Sequence, residues 1–151
     1  MQIIKDKQLV DNTWTFVDDD SEFGNSGDIT VSLDRWESHK QQLAHRIGKT
    51  GIRLNPGDHT EELAGTLSGV ELIELYFPVF TDGRPFSHAR LLRSRLGYKG
   101  EIRAVGHFLP DQIFYLSRVG VDGFELENQD QIPLALSCMG DFSVRYQASS
   151  N

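Results

Sequence analysis

The chain has one cysteine, Cys138, in 151 residues. A single thiol closes no internal disulfide and builds neither a cysteine-rich metal site nor an iron–sulfur cluster. In the setting L-A-L-S-C-M it reads as a small buried hydrophobe, because cysteine buries readily. Long apolar runs are also missing. None reaches the roughly 18 residues of a membrane span, and M-Q-I-I-K-D-K lacks the apolar core of an export signal. The expectation is therefore a cytoplasmic protein without a membrane partner. Positive charge is scarce: net charge is −7 and the pI about 5.1. General affinity for nucleic acid or anionic membrane needs excess Lys and Arg, so neither is expected. No G-x-G-x-x-G follows a strand and no G-x-x-x-x-G-K-[ST] occurs, which speaks against the standard nucleotide cradles. H-E-x-x-H and G-x-S-x-G are absent as well, and no metal site is expected.

What is present fits one soluble domain, with 38% hydrophobic and 25% charged residues. Charge is uneven. Residues 1–28 hold seven acids and two lysines, whereas residues 81–105 hold six basic residues and two acids. Residues 1–28 read as a small N-terminal β element and an acidic loop. They hold a tight turn at Lys5-Asp6-Lys7 and a β-prone run, Trp14 to Val17. Residues 29–147 read as a βα core and 148–151 as a loose tail. Five strands are expected, at 29–33, 51–54, 70–77, 101–105 and 124–126, with a terminal β-like segment at 142–146. Helices are expected near 34–47, 60–67, 85–96, 110–119 and 131–139. Trp36, Leu43 and Ile47 should share one helix face, and His39 and His45 should lie at the surface. This alternation predicts a single α/β domain with a mainly parallel sheet of about five strands. An open doubly wound sheet is the first expectation and a partial β/α barrel the alternative. Glu74, inside an apolar strand, is either buried with a partner or faces solvent. Gly51-Ile52-Arg53 and Glu101-Ile102-Arg103 form a weak internal echo, read as repeated β-α-β geometry.

In a parallel sheet ligands favour the carboxyl ends of strands. Three polar corners fall there: Asn55 to Asp58, Asp82 to His88, and His107 to Asp111. Asp82-Gly83-Arg84 ahead of a helix can cap it or hold a small oxyanion. His88 and His107, with Asp82 or Asp111, are candidates for acid–base chemistry. Arg90 and Arg93, one turn apart, can form a basic docking face.

The stretch F-P-V-F-T-D-G-R-P-F-S-H-A-R-L-L-R-S-R-L-G-Y-K-G-E-I-R-A-V-G resembles domain-of-unknown-function family 934. This bacterial family is usually encoded beside assimilatory sulfite reductase and labelled an oxidoreductase of sulfite reduction. The likeness continues through L-P-D-Q-I-F-Y-L-S-R-V-G-V-D-G-F-E-L and F-S-V-R-Y-Q, and includes the opening I-I-K-D and Trp14. Phe86 stands where the family commonly has tyrosine, His88 where it has glutamine, and His107 where it has an acid. Those departures weaken both histidines. They leave Asp82, Arg84, Ser87, Arg90, Arg93, Asp111 and Gln112 as anion-binding or docking candidates. The resemblance implies a role in sulfate assimilation at the sulfite-to-sulfide step. Sulfite reduction needs siroheme and an iron–sulfur cluster, and one cysteine cannot hold the latter. The expectation is an accessory or electron-transfer protein with no cofactor. It would dock on sulfite reductase or on an acidic electron donor such as a ferredoxin. The alternatives are an oxidoreductase or small-anion or flavin-binding enzyme of the pathway, and a scaffold without a sulfur role.

Overall fold

The computed structural model describes residues 1–139. The strand expected at 142–146 and the tail at 148–151 lie outside the described residues. Among the described residues eight strands form one sheet: β1 (Gln2–Lys5), β2 (Gln8–Asp11), β3 (Trp14–Phe16), β4 (Asp28–Ser32), β5 (Thr50–Leu54), β6 (Leu72–Phe77), β7 (Glu101–Gly106) and β8 (Gly123–Phe124). Five α-helices accompany them among the described residues: α1 (Leu33–Ser38), α2 (Lys40–Ala44), α3 (Arg84–Arg90), α4 (Ile113–Arg118) and α5 (Ile132–Ser137).

The sheet order is β2-β1-β8-β7-β6-β5-β4-β3. Strands β3 to β8 are parallel and laid down in chain order, while β1 is antiparallel to both β8 and β2. A doubly wound sheet reverses its direction of growth once. This one does not, so right-handed crossovers put every connecting helix on the same face. Residues from all of β5 to β8 and from α1, α3, α4 and α5 accordingly share one buried apolar cluster. The expected doubly wound arrangement is thereby corrected to a mostly parallel, curled half-barrel sheet.

The count of five is corrected too, because the N-terminal element joins the same sheet. A turn at Asp6 and Lys7, with φ of 49° and 70°, supplies the two positive φ values that suit a two-residue hairpin. The chain then passes from β2, at one edge, to β3, at the other, through Asn12 and Thr13 alone. Seven strand spacings in a flat sheet amount to about 33 Å. The three Cα steps from Asp11 to Trp14 reach about 11 Å at most. The sheet must therefore roll up until its edges meet through those two residues.

Helices are shorter than expected. The helix expected at 34–47 breaks at His39 (φ −121°, ψ 28°) and ends at Ala44, so Ile47, 76% exposed, does not share the face of buried Leu43. Arg46, beside it, is buried. The segment at 60–67 is one 3-10 turn, Thr60–Leu63. α3 passes into a π-helical turn, Leu91–Arg95, in which Leu96 N–H reaches the Leu91 carbonyl at 3.0 Å. Cys138, expected buried, is partly exposed.

Candidate functional site

Alternation along the strands separates two faces. Ile52 and Leu54, Ile73 and Leu75, and Ile102 and Ala104 point to the helices and are buried there. The residues between them point into the curl. Backbone register sets Ser32 beside Arg53, Arg53 beside Glu74, and Glu74 beside Arg103. The curl is thus lined by a belt of alternating charge. Glu74 is 2% exposed, so of the two readings its sequence allows, burial with partners is the one observed. Its Oε1 accepts from Thr30 Oγ1 at 2.8 Å and from Arg53 Nε at 2.8 Å. Arg103, 1% exposed, donates from Nε to Glu101 Oε2 at 2.8 Å and from Nη1 to Asn12 Oδ1 at 3.1 Å. Lys5 Nζ approaches the other Glu101 oxygen at 3.4 Å. Gly123 makes room for this pair, since a Cβ there would sit 2.7 Å from Glu101 Oε2.

Buried charges persist only when paired and hydrogen-bonded, and most of this belt meets that condition. Two groups are looser. The Arg53 guanidinium lies 3.9 Å from the Phe16 ring centroid and 5.9 Å from that of Tyr76. Among the described residues only its Nε is held, by Glu74. Among the described residues Glu125 accepts one long bond, from Asn12 Nδ2 at 3.3 Å. Burial raises its pKa, the nearby Glu74 charge adds to this, and Arg53 and Arg103 oppose it. Asn12 therefore does two jobs, bridging the sheet edges and joining Arg103 to Glu125.

The second region is the outer corner after β6. Asp82 Oδ1 accepts from Arg84 N–H and Nε, both at 3.0 Å, and Oδ2 accepts from Arg84 Nη2 at 2.8 Å. The Arg84 hydrogen bonds hold the Asp82 carboxyl below the usual carboxylate range. The carboxylate thus serves the first turn of α3 and neutralises the guanidinium that follows it. Gln112 takes Leu109 N–H at 2.7 Å and gives Nε2 to the Phe80 carbonyl at 2.8 Å. It ties two of the three corners together. His88 is buried and faces Asp58, which brings the remaining corner alongside. Burial lowers the His88 pKa, with the Asp58 charge and backbone pulling it up. His107 Nδ1 lies 3.0 Å from Glu127 at an exposed position. Ser87 and Asp111 are exposed.

The two arginines of the expected docking face differ. Arg90 is exposed. Arg93 donates to the carbonyls of Gly120 at 3.0 Å, Tyr98 at 2.8 Å and Gly100 at 2.8 Å, and to Asp122 Oδ2 at 3.2 Å. It clamps the loops that follow the π turn and precede β8. Beside it runs a groove of about 580 Å³ whose walls include Phe86, Arg90, Tyr115 and Arg118. Phe114 and Tyr115 are exposed aromatics on α4, with Arg118 5.5 Å from the Phe114 centroid.

Sequence reasoning missed Arg53, Arg103, Glu101, Glu125, Asn12 and Arg118. A signal for the first two existed: each arginine interrupts an apolar strand at a period-2 position, in I-R-L and I-R-A-V. Among the described residues no cluster of three or more His, Cys, Asp or Glu side chains could hold a metal ion. No helix there is long and apolar enough to cross a membrane.

The model of a bacterial family described as proteins of unknown function (DUF934) matches residues 51–151. The match takes in β5 onward, and so includes Arg53, Glu74, Arg103 and Glu125, together with the groove beside α3. No curated protein matches the chain.

Proposed function

We propose, from the premise that this chain belongs to the DUF934 family of bacterial proteins of unknown function, that it is an accessory protein of assimilatory sulfite reduction. It docks on sulfite reductase, or on the reductase's acidic electron donor, through the face between α3 and α4. The observation that carries this reading is the groove walled by Phe86, Arg90, Tyr115 and Arg118. Arginine and tyrosine are the side chains that anchor protein interfaces. Here they lie together on a protein whose net charge is −7. Complementary charge speeds encounter with an acidic partner. The sulfite role itself comes from the sequence resemblance.

The test is copurification of the chain with the reductase and with its electron donor at low and high salt. Arg90→Glu combined with Arg118→Glu should abolish the complex while leaving the fold intact, and salt should weaken it. A complex indifferent to both the double variant and salt would sink the docking face. Growth of a deletion strain sharpens the role: rescue by sulfide but not by sulfite locates it at the reductase step.

A second reading, a small-anion or flavin-binding enzyme of the same pathway, is favoured by one observation. Arg53 is stacked on Phe16, only its Nε is held among the described residues, and its charge acts on Glu125, a carboxyl with a raised pKa. Such a pair can bind an anion and donate a proton. A melting temperature unmoved by sulfite, sulfate and flavin nucleotides would dispose of it.

A further inference from the structure

A separate groove opens beside the amino-terminal ends of β5 and β6 and shares no wall residue with the groove of the α3–α4 face. Its volume is about 650 Å³ and its walls include Trp36, Lys40, Arg46, Lys49 and Glu71, together with the loop 65–69. Three cations and one carboxylate give the walls a net positive charge, the opposite sign to the chain as a whole.

Arg46 is the informative member. It is 8% exposed, so more than nine-tenths of it is buried. Its Nε donates to the Gly24 carbonyl at 2.6 Å, and Nη2 donates to the carbonyls of Ser26 at 2.9 Å and Gly27 at 2.8 Å. Nη1 is buried and has no acceptor among the described residues. Burial lowers the pKa of this guanidinium, with Asp28 pulling the other way. A buried charged donor left unmet is costly, so the loop carbonyls hold this guanidinium as a fixed positive charge in the groove wall.

The rest of the wall suits an anion. Lys49 Nζ is held by Glu71 at 3.5 Å, an exposed pair that an anion can compete for. Lys40 Nζ rests 4.6 Å from the Trp36 ring centroid, which keeps a second ammonium at the wall. The loop reads Gly65-Thr66-Leu67-Ser68-Gly69, with both glycines at positive φ (79° and 86°). A Cβ on either glycine would meet nothing within 4 Å, so both leave space open where backbone amides can approach a ligand.

We infer that this groove binds a divalent tetrahedral oxyanion, a sulfate or phosphate group carried by a small molecule, with Arg46, Lys40 and Lys49 as its cationic partners. Chemistry shared by the two anions is what the site recognises. The site is independent of the docking face and of the curl, and each can fail without the others.

The test is an amide NMR titration of the full chain with sodium sulfate or sodium phosphate, holding ionic strength constant with sodium chloride. The amides of Gly65, Gly69 and Lys49 should shift saturably, and the anion that saturates at the lower concentration identifies the source. Lys49→Gln and Arg46→Lys should each weaken binding about tenfold, the scale of one charge-assisted hydrogen bond. Arg46→Lys also removes the ties to the 24–27 loop, so Lys49→Gln, at an exposed position, is the deciding variant if the Arg46 variant unfolds. Shifts that match chloride alone, or saturable shifts that ignore Lys49→Gln, would overturn the site.

Discussion

The inside of the curl and the outer α3–α4 face both carry arginine, and they use it in opposite ways. Inside, Arg53 and Arg103 meet Glu74 and Glu101 at 2.8 Å and are largely or wholly withdrawn from water. Outside, Arg90 is exposed on the groove wall beside Arg118 and Tyr115. Arg93 sits on the outer side yet behaves like the inner ones, because loop carbonyls have captured its donors. The lesson is that a run of arginines on one helix is not a uniform basic patch. Burial and acceptors decide which member is structural and which is available to a partner.

The largest break in this comparison should come from the belt. Glu74→Ala leaves Arg53 and Thr30 without their shared acceptor, and should cost about 3–5 kcal/mol in urea unfolding. Pairing it as Glu74→Leu with Arg53→Met should recover much of that loss, since two apolar groups leave no buried charge. If Glu74→Ala is neutral, the belt is solvated and the contrast collapses. Next comes Arg93→Ala, which frees three carbonyls and Asp122. A loss of about 1–3 kcal/mol is expected from the same unfolding assay. Arg90→Ala, on the same helical run, should stay within about 0.5 kcal/mol of the parent. Equal effects at the two positions would refute the division between them.

Proton linkage separates the regions by sign. Glu125 has a folded pKa above its ordinary value of 4.5. The folded state therefore holds the proton more tightly, and this group's contribution falls as pH rises through that raised value. His88 has a folded pKa below its ordinary 6.5. The unfolded state takes its proton first, so its contribution falls on acidification through the window below 6.5. Glu125→Gln should flatten the loss on the alkaline side, and His88→Gln the loss on the acid side, in melting temperature against pH. A wrong sign for either variant would show that its side chain is hydrated in solution.

The sequence conveyed more of the strands than of their closure. Ile52, Leu54, Ile73, Leu75, Ile102 and Ala104 stand out as apolar alternation, and the five expected strands correspond to β4 to β8. The curl was hidden because its cause is one non-local fact, that β2 and β3 sit at opposite edges while adjacent in sequence. The inner belt was hidden for a related reason. A polar residue at every second strand position ordinarily faces water, and only a rolled sheet turns that face into an interior. The corner residues were found in sequence because turns are local. Asp82 reaches its partner two positions away and needs no tertiary information.

The Asn12–Thr13 bridge has a consequence for how the molecule comes to exist. β1 is synthesised first, yet one of its pairing partners is Gly123–Phe124. The growing chain must carry that hairpin unattached while about a hundred residues or more emerge. Closure therefore waits for β8 and pays the loop entropy of a very long contact. Until then both ends of the parallel ladder stand open as pairing templates for other chains. The interval between translating β4 and β8 is when this protein has most need of a chaperone, and slowing elongation there should increase its aggregation.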